Sequence, residues 1–164
     1  MAHTFTLRDE MVVRAPVERC FLLSTSVEIV AITLKMRPVR RRISGLITDG
    51  DKVRWEGWVF GLPQHHESLI GPFEPPVFFR DSMLTGRFSS FEHSHHFFDQ
   101  GDGSVRLSDE VRFRMRLGWA GYLAGKWIVA PHIRRLLRRR FSLLKEFAEG
   151  QAWRKYLQAE TPAE

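Results

Sequence analysis

The chain has 164 residues, 43% of them hydrophobic and 27% charged, with a formal charge of +6. That is long enough to bury a core in one domain and too apolar for a disordered chain. Its one cysteine, Cys20, excludes an internal disulfide, and no stretch approaches the roughly eighteen apolar residues of a membrane span.

Met1 to Arg14 alternate polar and apolar residues instead of carrying the apolar run of a signal peptide, so a cytoplasmic location is the expectation. Phe5, Leu7, Met11 and Val13 fall on alternate positions and predict a first strand with one buried face. Pro16 suits the first turn of a helix. Val17, Cys20, Phe21 and Ser24 make one face of that helix, and a second short helix follows from Ser26, a candidate cap, to about Leu34.

The middle of the chain reads as a meander. Ile43–Thr48 leads through Asp49-Gly50-Asp51 into Lys52–Phe60, and Gly61-Leu62-Pro63 starts Gln64–Ile70. Pro72, Pro75 and Pro76 end that strand and Val77–Leu84 follows. Ser89–Phe98 and Ser104–Leu117 then form a hairpin about Gly101 and Gly103. With the first strand this makes about seven antiparallel strands.

A helical segment opens at Gly118–Gly121 and runs to Glu149, with Trp127, Ile133, Leu136, Leu137, Phe141, Leu144 and Phe147 at helical spacing. Pro131 is expected to kink it or end a first short piece. The long part, from about Ala124, is the only element large enough to cover the concave face of a twisted sheet, with Leu137, Phe141 and Leu144 inward. Where it fails to fill that face, a cavity remains. Residues 1–150 thus read as a single α+β domain, and 151–164 as a loosely held tail on which Trp153 and Tyr156 have the means to dock.

Gly61-Leu62-Pro63, then Pro75–Asp81 (PPVFFRD), Phe91–Phe97 (FEHSHHF) and Gly103–Val111 (GSVRLSDEV) carry a family likeness, continued by Gly118–Gly121 and Arg138–Phe141. In this order, over nearly the whole chain, they resemble the START-like or SRPBCC superfamily of lipid-transfer domains, polyketide cyclases and pollen allergens. The likeness is greatest to its bacterial cell-division-inhibitor-like branch. The resemblance implies the helix-grip fold: a curved, about seven-stranded antiparallel sheet, two short helices after the first strand, and a long C-terminal helix over the concave face. The chain departs from the pattern at His66 and Phe91, where relatives tend to carry tryptophan.

Strand parity then assigns faces. Val105, Leu107, Val111, Phe113 and Met115 share the inward parity of the last strand, and Asp109 falls in that set. Phe91, His93, His95 and Phe97 share the inward face of the strand before, so the hairpin brings Asp109 opposite His93 or His95. Phe79, Asp81 and Met83, and His66 with Ser68 and Ile70, are assigned to the same side, whereas His65 and His96 face solvent.

A buried carboxylate needs a partner, and imidazoles supply one. Three readings of this interior cluster are open: a satisfied network tying strands together, polar contacts to a ligand in an apolar pocket, or proton transfer or metal binding. No tight ligand spacing supports a metal or other cofactor, and no catalytic residue is assigned.

The functional expectation is a cavity for a small hydrophobic molecule, lipid-, sterol- or polyketide-like. Trp55, Phe79, Met83, Phe91, Phe97 and Phe113 would supply apolar contact, Trp127 and Ile133 would close the pocket, and His66, His93, His95, Asp81 and Asp109 would orient a polar end. A cyclase or dehydratase using a His–Asp pair is the alternative. The basic runs Arg37–Arg42 and Arg134–Arg140 read as a basic loop and a solvated helix face, with weak, salt-sensitive contact to anionic lipid or nucleic acid as the further reading.

Overall fold

The computed structural model describes residues 3–157. Strand β1 (Thr4–Val13) is followed by helices α1 (Val17–Thr25) and α2 (Val27–Leu34), then strands β2 (Met36–Arg41), β3 (Lys52–Val59), β4 (Leu62–Glu74), β5 (Phe78–Thr85), β6 (Ser90–Asp99) and β7 (Val105–Arg114). Helix α3 (Gly118–Ala124), a π-helical turn (Gly125–Val129), the long helix α4 (Ala130–Glu149) and the short helix α5 (Trp153–Leu157) complete it. The strands form one antiparallel sheet in the order β1-β7-β6-β5-β4-β3-β2, in which only the β1–β7 neighbours are distant in sequence. This is an α+β helix-grip fold, with an open, curved sheet gripping α4.

The amphipathic pattern of α4 explains its position. Ile133, Leu137, Phe141, Leu144 and Ala148 are all buried, a stripe at spacings of three and four residues. Phe141 and Leu144 pack into one apolar cluster with Phe21, Leu23, Phe79 and Phe97. Ile133 and Leu137 pack into a second with Leu7, Val111 and Phe113. Helix α1 buries Val17, Cys20, Phe21 and Ser24, the face its spacing predicts. The Ser26 hydroxyl accepts a long hydrogen bond, 3.4 Å, from the Ile29 amide at the start of α2.

Three segments differ from the sequence reading. The edge strand is Met36–Arg41, overlapping the Arg37–Arg42 run read as a basic loop, while Ile43–Thr48 is irregular and meets Ser26 through an isolated bridge at Leu46. An edge strand with little burial on either face loses the apolar alternation that marks a strand, and Pro38 is tolerated there at a register shift. Strand β4 runs on through Gly71-Pro72 to Glu74, absorbing the proline in a break of register against β5 between Ile70 and Phe73.

In the C-terminal segment the π turn lies just ahead of Pro131, which sits in the first turn of α4, where a missing N–H is tolerated. The extra residue in that turn rotates everything upstream relative to the α4 stripe. Trp127, expected to face inward with Ile133, is 69% exposed: six residues of regular helix already set it about 120° from Ile133, and the π turn does not bring it back. Gly121 lets α3 fold back tightly on the end of β7, since a Cβ there would collide with the Arg116 carbonyl oxygen. After α4, Tyr156 of α5 stacks on Phe147 at 5.3 Å and the Arg19 guanidinium lies 4.3 Å from the Trp153 ring. The rest of the tail, 158–164, lies outside the described residues.

Candidate functional site

A cavity of about 320 Å³ borders both apolar clusters, between the concave sheet, α2 and α4. Val53, Trp55, Ile70, Phe79 and Phe91 line it from the sheet, Ile29, Val30 and Thr33 from α2, and Ile133, Leu136, Leu137 and Leu144 from α4. These walls follow from strand parity and from the α4 stripe: residues that face the gap between sheet and helix are the ones that neither layer fully covers. The volume falls at the lower end of small-molecule sites, which are mostly apolar with a few placed polar groups.

The polar groups centre on Asp109. In the β6–β7 ladder His95 is directly opposite Asp109, and in the β5–β6 ladder His93 is opposite Asp81. Asp109 Oδ2 lies 3.1 Å from His93 Nε2, and Oδ1 lies 3.1 Å from His95 Nδ1. Arg140, reaching down from α4, donates from Nη1 to Asp109 Oδ2 at 2.8 Å. Asp109 and Arg140 are only 1% and 7% exposed.

The three partners decide the charges. Burial by itself would raise the Asp109 pKa, but the Arg140 guanidinium, with His95 and His93, outweighs it and holds the carboxyl well below its ordinary value. An ionised carboxylate only accepts hydrogen bonds, so each imidazole presents an N–H to it. His95 is held neutral, its pKa well below the usual value because of burial and then the neighbouring His93, against the pull of Asp109. The ring of His95 also stacks on Phe79 at 4.2 Å. Arg140 therefore balances the Asp109 charge, and neutral His95 adds a hydrogen bond without adding charge.

His93, His95 and Asp109 offer donor atoms within 4.8 Å of one another, close enough to hold a metal ion. A cation there would have to displace the imidazole N–H groups and sit beside the Arg140 guanidinium that already neutralises the carboxylate. The chemistry of the set thus favours the hydrogen-bonded ion pair.

Each expected site residue has a definite place. Trp55, His66, Phe79, Asp81, Phe91, His93, His95 and Ile133 line the cavity. Asp109 sits behind that wall and meets the cavity through His93, His95 and Arg140. Phe97 is core, packed edge-on to Phe21, and Phe113 stacks on Phe5 at 4.9 Å. Met83, half-buried, leans over Gly86, and Trp127 faces outward.

The sequence reading missed Arg140 as a site residue. Its signal was position: Ile133, Leu137, Arg140 and Leu144 form one stripe, hidden inside an arginine run whose other members face solvent.

A second feature is the set of buried side-chain polar atoms that lack a hydrogen-bond partner among the described residues: Ser24 Oγ, Asp81 Oδ1 and Arg140 Nη2. All three residues line this cavity. Asp81 uses its other oxygen to accept from the Ser68 hydroxyl at 3.1 Å. Close by in sequence, His66 packs edge-on to Phe91 at 5.6 Å, and burial lowers its pKa despite Asp81.

These charge states set a pH dependence. Below about pH 6.5 an unfolded histidine binds a proton that native His95 and His66 resist, so stability falls as pH drops from there towards their native values. Below about pH 4 the depressed Asp109 adds a loss of the same sign. Urea unfolding between about pH 7 and pH 5 is expected to show a fall of up to about 1.4 kcal/mol per pH unit for each histidine. His95→Gln removes its share of the slope, and a flat profile in the parent protein would contradict neutral, buried His95.

The gripping helix and the strand order give the chain a helix-grip fold that it shares with several solved proteins. A protein from Thermus thermophilus superposes with a TM-score of 0.69 at 19% identity, covering 95% of this chain and 99% of its own. The di-domain ARO/CYC BexL from the BE-7585A biosynthetic pathway superposes at 0.72 and 17% identity, covering 90% of this chain and 50% of its own. Norcoclaurine synthase from Thalictrum flavum, solved with dopamine and hydroxybenzaldehyde, gives 0.63 at 11% identity, covering 88% of each chain. No protein-family model and no curated protein sequence matches this chain.

Proposed function

We propose that the chain binds a small, mostly apolar molecule in the cavity between sheet and α4, with an acceptor group of that molecule taking the free Nη2 of Arg140. The observation that carries this reading is the placement of the partnerless buried atoms. Such a group costs about 1–3 kcal/mol when left unsatisfied, and proteins rarely tolerate it without a use. Here Arg140 Nη2, Asp81 Oδ1 and Ser24 Oγ all belong to residues of one apolar-walled cavity.

A ligand with an aliphatic or aromatic body and a carboxylate, phenolate or carbonyl end complements that lining. Its acceptor would meet a donor whose charge Asp109 already balances, so a neutral carbonyl is accommodated as well as an anion. The lipid, sterol and polyketide classes all include such molecules. The shared fold of norcoclaurine synthase and BexL supports a use of the sheet–helix gap for small molecules.

A second reading, proton transfer on the bound molecule, draws on one observation: His93 lines the cavity while Asp109 holds its Nε2. His93→Gln separates the two, because it would abolish turnover under that reading and leave binding in place under the first.

Mass spectrometry of small molecules released from purified, denatured protein tests the leading reading. An apolar compound carrying an oxygen acceptor is the expected finding, retained by the parent protein and reduced in Arg140→Met. A released compound retained equally by that variant would remove Arg140 from the ligand's contacts.

A further inference from the structure

Beyond the cavity, the surface around its mouth is unusually apolar. Trp58, Phe60 and Leu62 of the β3–β4 hairpin are 71%, 57% and 53% exposed. On the C-terminal segment Trp119, Leu123 and Trp127 recur every four residues along α3 and the π turn, a stripe aimed at solvent, with Trp119 79% exposed. The hairpin meets this segment where the Phe60 ring lies 4.9 Å from that of His132, one turn beyond Ile128. Phe60, Val129 and His132 also line the cavity, so the hairpin and the start of the long helix meet at its edge. Scattered exposed apolar residues need no explanation, but a contiguous patch of this kind marks a contact surface.

The two segments that carry these side chains are themselves free of acidic residues. No acidic residue occurs between Glu56 and Glu67 or between Glu110 and Glu146. Lys126 stands within the patch, 5.1 Å from the Trp127 ring. Exposed Arg134 and Arg135 follow on the first turns of α4, and Arg116 precedes α3. Indole rings and aliphatic side chains rimmed by cations match the interface of an anionic bilayer, where the rings settle at headgroup level and the cations meet lipid phosphates. A second copy fits poorly, because a two-fold interface sets the same patch against itself and would bring these cations face to face.

We infer that this rim docks the protein onto an anionic lipid surface, with the cavity mouth held against the membrane. Docking in this orientation would let an apolar ligand pass between bilayer and cavity without crossing water. The surface inference stands independently of what the cavity holds.

Flotation with vesicles tests it, using the full chain and two compositions: phosphatidylcholine alone, and phosphatidylcholine containing phosphatidylglycerol. The parent protein is expected to float with the second and not with the first, with a blue shift of tryptophan emission on binding. Joint substitution Trp119→Ser and Trp127→Ser is expected to weaken binding by roughly tenfold or more. Both side chains are exposed, so the melting temperature should not change, and a melting check confirms that the loss is one of binding. Lys126→Glu with Arg134→Glu should weaken binding further at low salt. The inference is overturned if the parent protein stays out of the anionic vesicle fraction, or if the double variant floats as well as the parent. It is also overturned if sedimentation shows a dimer that those two substitutions dissolve, since a second copy would then cover the patch.

Discussion

Arg140→Met is expected to destabilise the protein by about 3–5 kcal/mol, the largest effect of any single change to the interior cluster. Methionine keeps much of the aliphatic length, so the loss comes from stranding the Asp109 carboxylate, whose remaining partners are two imidazoles, of which buried His95 resists protonation. The Asp109 pKa should rise once the guanidinium is gone, since burial then acts with less opposition. Its removal also withdraws the stabilisation above pH 4 that the depressed carboxyl supplies, so the variant's deficit should shrink in acid. Replacing Asp109 and Arg140 together by Asn and Met should cost less than the sum of the single changes, because neither buried charge is then left alone. Urea unfolding of the two single variants and the double variant measures this directly. Additive losses would mean that the 2.8 Å contact carries no coupling.

Phe141→Ala is expected to cost about 3–5 kcal/mol. Phe141 is 1% exposed and is one of the residues by which α4 grips the core, in a cluster shared with α1 and with strands from across the sheet. Truncation leaves a void in the cluster that also holds Phe21, Phe79 and Phe97, rings that already pack edge-on or stacked upon one another and have little freedom to rearrange. A loss under about 1 kcal/mol by thermal or urea unfolding would place the helix outside the cooperative core.

The sequence was most legible where one physical rule acted alone. Period-two alternation in β6 and β7, with one turn between them, brought Asp109 opposite the histidines before any coordinates, because register and parity are fixed together in a hairpin. The α4 stripe was legible for the same reason, its apolar residues repeating over several turns. Legibility failed where a second effect intervened. Strand β2 is an edge that buries little, so its arginines and Pro38 looked like a loop. Pro72 looked like the end of β4 because a proline in a strand reads as a stop unless the ladder breaks register there.

Trp127 fell on the wrong side because it lies six residues before Ile133, about 120° round a regular helix, and the π turn does not return it to the stripe. Arg140 was hidden by company. Arg134, Arg135, Arg138 and Arg139 are exposed, and the run as a whole has the composition of a solvated face. Only its place on the Ile133–Leu137–Leu144 stripe distinguishes it, and a buried charge becomes plausible only once a carboxylate is known to face it. The exposed aromatic rim escaped the sequence reading too, since tryptophans at helical spacing are usually core.

The central claim is that the sheet–helix cavity binds an apolar molecule through its walls and through Arg140. Calorimetric titration of a medium-chain fatty acid, below its micelle concentration, into the parent protein and into Leu136→Trp tests it most directly. Leu136 lines the cavity from α4 and is only partly buried, so an indole there should occupy cavity space at modest cost to folding. The parent protein is expected to give saturable one-site binding with a negative heat-capacity change, and the variant to lose it while remaining folded. Binding of equal strength in both proteins, or none in the parent protein, would contradict the account.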